Sequence, residues 1–127
     1  MVSKDLKDRT KQFSVDIVKM VSSLNQNVTA QILGKQILRS GTSVGANYRA
    51  ALRGKSKKDF INKLAIVIEE ADETQYWLEL LVASDLIQRE IAAKLWKEAD
   101  ELISIMTATS KTTKNNLNKD KSNIHKS

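Results

Sequence analysis

The sequence of 127 residues contains no cysteine, no proline, one histidine and only four glycines. The absence of cysteine excludes disulfides, thiol catalysis and cysteine-ligated metals. The single histidine, His125, is too little for a histidine-based catalytic site or for a zinc or di-iron centre. Because an all-β protein needs many glycine- and proline-containing turns, these counts favour helices joined by short loops. We therefore expect an all-α protein that is not an enzyme and that uses no cofactor or metal.

Long hydrophobic runs are also missing. No apolar segment approaches the ~20 residues that a membrane-spanning helix needs, and the N-terminal residues lack the apolar stretch of a secretion signal. We expect a cytoplasmic protein without a membrane partner. Hydrophobic residues make up 41% of the chain, which is enough for the core of one domain.

Hydrophobic periodicity predicts four helices, over residues 5–24, 28–53, from 57 through 81, and from after residue 85 to about 109. Ser56 and Asp59 have the spacing of a capping box at the start of helix 3. Helices 3 and 4 carry apolar residues in a 4-3 repeat that is typical of bundle cores. The connections are short, so the helices are antiparallel, and residues 1–110 are predicted to form an up-down-up-down four-helix bundle.

The last segment has a different composition. Residues 111–127 are mainly Lys, Asn, Ser and Thr, and Leu117 and Ile124 are the only apolar residues among them. Such a segment has too little apolar surface to offset the entropy lost on ordering. We expect a disordered, basic C-terminal tail.

Three glycines lie within helix 2, where each costs about 1 kcal/mol relative to alanine. Gly41 and Gly45 share a face with Gly34, and small residues surround them. The segment around them lacks the strand and the glycine spacing of a phosphate-binding loop. These glycines therefore predict a close approach by a neighbouring helix.

The charges are separated along the chain. Residues 35–63 carry eight cations and one anion, whereas residues 69–101 carry ten anions and three cations. Cations at this density can contact nucleic-acid phosphates, or they can pair with acids on helix 3 such as Glu69, Glu70, Asp72 and Glu73. No aromatic residue alternates with the cations, so base stacking is not expected. The candidate nucleic-acid-binding residues are Lys35, Arg39, Arg49, Arg53, Lys55, Lys57, Lys58 and Lys63.

Helices 3 and 4 carry more apolar residues than one core seam requires. Beside the 4-3 repeat lie Ile61, Ile68 and Trp77 on helix 3, and Ile91, Trp96 and Ile103 on helix 4. A second apolar seam predicts self-association or a protein partner. We assign Ile61, Ile68, Trp77 and Trp96 to an oligomer interface.

The amino-acid sequence of residues 39–51, 59–61 and 70–81 resembles that of the four-helix-bundle family of 23S rRNA intervening-sequence proteins. The Avd-like accessory proteins of diversity-generating retroelements are relatives of that family. The resemblance implies a ring-like homopentamer with a basic surface for nucleic acid, RNA more than DNA. In the retroelement branch the partners are a reverse transcriptase and RNA. Arg39, Asn47 and Glu70 match the family's polar pattern, and we expect them to form contacts between helices 2 and 3.

Two functional hypotheses follow. The first is a non-enzymatic homo-oligomer that binds nucleic acid through the basic surface of helix 2. The alternative is a protein-interaction scaffold, or a reverse-transcriptase accessory protein, whose charges serve assembly. The salt dependence of RNA binding separates the two, because phosphate contacts release counterions.

Overall fold

A computed structural model describes the backbone of residues 2–126 and the side chains of residues 6–123. It contains four helices, α1 (Val2–Ser22), α2 (Val28–Leu52), α3 (Lys57–Ala83) and α4 (Arg89–Lys126). Consecutive helices pack against each other, α1 on α2, α2 on α3 and α3 on α4, and no strand occurs over residues 2–126. The predicted all-α, up-down-up-down four-helix bundle is confirmed.

Helices α1 and α4 meet over a much smaller area than the other pairs. The contact includes Arg9, whose Nε lies 3.0 Å from Glu98 Oε2 and whose Nη2 lies 3.0 Å from Glu101 Oε2. The hydrogen bond to Glu98 raises the pKa of the Arg9 guanidinium above its usual value. Charged side chains therefore contribute to the fourth seam of the bundle.

Local side-chain chemistry fixes where the helices begin and end. The Asn27 side chain accepts a hydrogen bond from the backbone N–H of Ala30 at 2.8 Å, and Ser56 accepts one from the N–H of Asp59 at 3.1 Å. These contacts satisfy backbone donors that the first helical turn leaves unpaired. After α3, Asp85 adopts a left-handed conformation (φ 59°) that turns the chain towards α4.

The core follows the predicted repeats. In α1, Leu6, Phe13 and Ile17 are buried, as the sequence predicts. Phe60, at the start of the α3 repeat, is half-buried. The remaining repeat positions of helices 3 and 4 are all buried: Leu64, Val67, Ala71, Thr74, Leu78, Leu81, Ala92, Leu95, Ala99, Leu102 and Met106.

The C-terminal segment differs from the prediction. The chain is helical from Lys111 to Lys126, where disorder was expected, and residue 127 lies outside the described residues. No glycine or proline in this segment interrupts α4, and α3 packs against α4. At the first residue of α3, Lys57 Nζ lies 2.5 Å from Asp120 Oδ2. The lack of a helix breaker outweighs the polar composition here.

Candidate nucleic-acid interface

Helix α2 buries one side in the core and presents its cations to solvent. Ile37, Val44 and Tyr48 are buried, and burial raises the pKa of the Tyr48 hydroxyl above its usual value. Of the eight predicted binding residues, seven are exposed and Lys63 is half-buried. The exposed ones are Lys35, Arg39, Arg49, Arg53, Lys55, Lys57 and Lys58.

Arg39 is used within the bundle. Its guanidinium donates to Glu70 at 3.4 Å and, more closely, to Glu73, both on α3. Glu73 also accepts a hydrogen bond from the indole N–H of Trp77 at 3.0 Å. For this cation the structure therefore supports the alternative of pairing with helix 3. The predicted helix 2–helix 3 contact of Arg39 with Glu70 is confirmed.

Asn47 does not form the predicted contact between helices 2 and 3. Its side-chain amide donates to the carbonyl oxygen of Ser43, one turn earlier in the same helix, at 2.9 Å. The polar contact that joins α2 to α3 in the core is made by Ser40, whose hydroxyl lies 2.9 Å from the hydroxyl of Thr74. Both residues are buried, and the sequence analysis missed this pair because serine and threonine occupied positions in an otherwise apolar repeat.

Arg49 and Arg53 lie on the other edge of α2. They line a groove of about 550 Å³ between α1 and α2. The α1 wall of this groove carries Lys7 and Lys11, which the sequence analysis did not select. Their spacing of four residues on one helix was the available signal, because it places both side chains on the same face.

These four groove cations are not neutralised by the described side chains. None of them lies within 4.0 Å of a described carboxylate oxygen, in contrast to Arg9, Arg39 and Lys57. Asp8 is the single carboxylate in the lining. The groove therefore has a net charge of +3.

Close contact between the two helix backbones brings the groove walls together. A Cβ placed on Gly41 would lie 2.7 Å from Ile17 Cγ2, and one on Gly45 would lie 2.8 Å from Ser14 Oγ. The Ser14 hydroxyl donates to the Gly41 carbonyl at 2.9 Å and accepts from the Gly45 N–H at 3.2 Å. The predicted close approach is confirmed at these two glycines. At Gly34 the nearest side-chain atoms are at an ordinary 3.4 Å.

The other predicted cations are distributed over neighbouring surfaces. Lys55 and Lys63 line a cleft of about 390 Å³ between α2 and α3, and Arg53 and Asp59 line the same cleft. Lys35 lies near the opposite end of α2, in a cleft beside the end of α1. The structure therefore brings Arg49, Arg53, Lys55 and Lys63 to one end of the bundle, whereas Lys35 and Arg39 lie apart from them.

The apolar residues assigned to an oligomer interface differ in burial. Ile61, Ile68 and Trp77 are half-buried, and the last two pack against the core. Trp96 is 37% exposed, and its indole N–H donates to Glu79 at 2.9 Å. It lines an apolar groove of about 300 Å³ between α3 and α4. Of the four, Trp96 presents the largest exposed fraction to a partner.

Two further findings concern metals and membranes. Across side chains 6–123, no three histidine, aspartate or glutamate residues are grouped so that they could hold a metal ion. Over the same part of the chain, no helix has the length and apolar composition required to cross a bilayer.

Comparison with known proteins gives a family. The model of the 23S rRNA-intervening sequence protein family matches residues 4–108. A solved structure of a protein of unknown function from the S23 ribosomal protein family of Bacteroides thetaiotaomicron VPI-5482 is 40% identical in sequence. The alignment covers 87% of this chain and 99% of that one, with a TM-score of 0.82. No curated protein matches the chain.

Proposed function

We propose that this chain, which belongs to the family of 23S rRNA-intervening sequence proteins, is a non-enzymatic, cytoplasmic protein that binds nucleic acid. RNA is the preferred partner, as the family name suggests. The observation that carries the proposal is the set of exposed cations without carboxylate partners around Arg49 and Arg53. Unneutralised arginine and lysine side chains at this density bind phosphates and release their counterions.

The proposed recognition is directed at the backbone of the nucleic acid. No aromatic side chain lines the α1–α2 groove or the α2–α3 cleft, so bases have no stacking platform there. Arg39 is held by Glu70 and Glu73 and contributes to the bundle. The binding residues we propose are Lys35, Arg49, Arg53, Lys55, Lys58 and Lys63, together with Lys57, whose single exposed ion pair with Asp120 a phosphate can replace.

We further propose that the protein is a homo-oligomer, and a pentamer as the family resemblance implies. The exposed apolar surface on α3 and α4 supports this, because Tyr76, Ile91 and Trp96 are each more than one-third exposed. Exposed large apolar side chains are a feature of interaction sites when they form a patch. Ile61, Ile68 and Trp77 extend the proposed interface on α3.

Binding of a labelled RNA at several salt concentrations tests the proposal. We expect affinity to fall steeply with salt, with a slope of about −0.7 per phosphate contact on a single strand. Changing Arg49, Arg53 and Lys57 together to Glu is expected to weaken RNA and DNA binding and to reduce that slope, while the thermal melt changes little. If the wild-type protein binds no nucleic acid at low salt, the proposal is wrong.

The second candidate function is an assembly scaffold or a reverse-transcriptase accessory protein. The pairing of Arg39 with α3 and of Lys57 with Asp120 favours it, since both cations serve contacts within the chain. Light scattering after gel filtration tests assembly, with a mass near five protomers expected. Trp96→Asp is expected to dissociate the oligomer while circular dichroism stays helical. A 14.3 kDa species at micromolar concentration would contradict self-association.

A further inference from the structure

The α1–α2 groove differs from the other clefts of the bundle in its charge. Cations come from both of its walls, Lys7 and Lys11 on α1 and Arg49 and Arg53 on α2. The α2–α3 cleft, by comparison, holds three cations and one carboxylate, all from α2, α3 and the turn between them. With four cations and one carboxylate, the α1–α2 groove has a net charge of +3, against +2 for the α2–α3 cleft, and each of its walls supplies two of the cations.

The charges on the two walls are held close together by the glycine contacts. The position of a Gly45 Cβ lies 3.5 Å from the Cα of Lys11 and 3.1 Å from the carbonyl oxygen of Thr10. Larger residues at Gly41 or Gly45 would separate the helices. This close approach places like charges near one another without a described carboxylate within 4.0 Å of any of them. Such an arrangement destabilises the free protein slightly and is relieved by a bound polyanion.

The spacing along each wall suits a chain of phosphates. Lys7 and Lys11, like Arg49 and Arg53, are four residues apart, which is ~6 Å along a helix. The side chains of each pair therefore lie on one face and point into the same groove. The groove runs between two helices with cations on both walls, so it suits a strand that carries several phosphates.

We infer that the sugar–phosphate backbone of a nucleic-acid strand lies in the α1–α2 groove, and that Lys7 and Lys11 bind its phosphates together with Arg49 and Arg53. This inference rests on the proposed function. It adds α1 as a second binding helix and defines the path of the nucleic-acid strand. The two hydroxyl groups of the lining are already used within the protein, because Ser14 bonds to Gly41 and Gly45 and Thr42 bonds to the Leu38 carbonyl. The groove thus selects phosphates by charge and carries no base-specific contact.

A matched pair of charge-reversal variants tests the inference. Lys7→Glu with Lys11→Glu changes the groove, and Lys94→Glu with Lys97→Glu makes the same change in net charge on the exposed surface of α4. Binding of a single-stranded RNA is measured by fluorescence anisotropy over a range of salt concentrations. We expect the groove variant to bind about tenfold or more weakly and to lose about 1.4 from the salt slope, which is two contacts on a single strand.

The α4 variant is expected to retain most of the wild-type affinity and slope. If both variants weaken binding equally, net charge and not the groove is responsible, and the inference is wrong. If wild-type protein binds and the groove variant binds equally well, the inference fails while the proposed function stands. Failure of the wild-type protein to bind at low salt overturns both. Circular dichroism melts establish that each variant is folded. If the groove variant is not folded, Lys7→Gln with Lys11→Gln is used in its place.

The source of the phosphate is tested with RNA oligonucleotides that carry or lack a terminal phosphate. Equal affinity for the two supports a strand that passes through the groove. Two results would overturn the inference, because each would show that the groove captures a free phosphate group. One is that the RNA binds only when it carries the terminal phosphate. The other is that inorganic phosphate, at the same concentration as the oligonucleotide, abolishes binding.

Discussion

The two edges of α2 use the same kind of residue in opposite ways. On the edge that faces α3, Arg39 is neutralised by Glu70 and Glu73. On the edge that faces α1, Arg49 has no described carboxylate within 4.0 Å, and neither has Arg53, which lies at the end of α2 and lines both clefts. The difference arises from the neighbouring helix, because α3 presents acids at this seam whereas α1 presents lysines.

The two seams are also packed differently. The α2–α3 seam is joined by a buried hydrogen bond between Ser40 and Thr74, whereas the α1–α2 seam depends on the close approach of α1 to Gly41 and Gly45. A cation on α2 therefore contributes to folding on one side and is available for binding on the other. Substitutions on the two sides of α2 test this division.

Gly41→Leu is expected to have the largest effect. A Cβ at this position would already lie 2.7 Å from Ile17 Cγ2, so a leucine side chain forces α1 away from α2. Overpacking of this kind lowers the free energy of unfolding by about 1–3 kcal/mol. Urea denaturation followed by circular dichroism measures the change.

Gly34→Ala is the matched control for that variant. The nearest side-chain atoms to its Cβ would be at 3.4 Å, so the methyl group fits without displacement. Alanine in place of a helical glycine is expected to raise the free energy of unfolding by up to about 1 kcal/mol. A stabilised Gly41→Leu variant would contradict the close packing of α1 on α2.

Ser40→Ala tests the α2–α3 seam. The change removes the hydroxyl that lies 2.9 Å from the Thr74 hydroxyl in the core. We expect the free energy of unfolding to fall by about 0.5–1.5 kcal/mol, the usual net value of one hydrogen bond. Thr74 keeps its bond to the Glu70 carbonyl, which limits the loss, and chemical denaturation provides the measurement. A loss as large as that of Gly41→Leu would contradict this interpretation.

Arg39→Gln and Arg49→Gln compare the two edges directly. Arg39→Gln is expected to lower the free energy of unfolding by up to about 1 kcal/mol, because its side chain is 54% exposed and solvent screens the ion pairs. Arg49→Gln is expected to leave stability unchanged. RNA binding should respond in the opposite order, with Arg49→Gln weakening it and Arg39→Gln leaving it nearly constant.

A thermal melt and an anisotropy titration of both variants complete the comparison. Equal losses of affinity from the two variants would show that both edges of α2 bind nucleic acid. In that case the ion pairs of Arg39 with α3 would have to open on binding.

Asp8→Asn is expected to have the smallest effect, and in the direction of tighter binding. Asp8 is the single carboxylate that lines the α1–α2 groove, and removing its charge raises the net charge there. We expect a few-fold increase in RNA affinity at low salt, which fades as salt screens the groove. Unchanged affinity at low salt would indicate that the strand does not pass Asp8.

The sequence was sufficient to predict the fold. The 4-3 repeats of α3 and α4 correspond to buried side chains, and Ser56 caps α3 as expected. Apolar periodicity and capping are local, so they can be read from one chain. The extension of α4 was not predicted, because it depends on the length of α3 beside it and not on composition alone.

The candidate site was predicted only in part. The cations of α2 were selected, but the sequence could not assign Arg39 to α3 and Arg49 to α1, since that depends on which helix packs against each edge. Lys7 and Lys11 were missed for the same reason. They are ordinary surface lysines in α1 until the close approach at Gly45 places Lys11 beside α2.

The small contact between α1 and α4 has a consequence for dynamics. Because α1 meets α4 at few residues and has its main neighbour in α2, we expect α1 to open before the α2–α3 and α3–α4 seams do. Such an opening removes one wall of the α1–α2 groove, so a strand that needs both walls holds α1 in place. At a hundredfold excess over its dissociation constant, a ligand stabilises the closed state by about 2.7 kcal/mol. Amide hydrogen exchange in α1 should then slow by up to about a hundredfold when RNA is bound, whereas exchange in α3 should change much less.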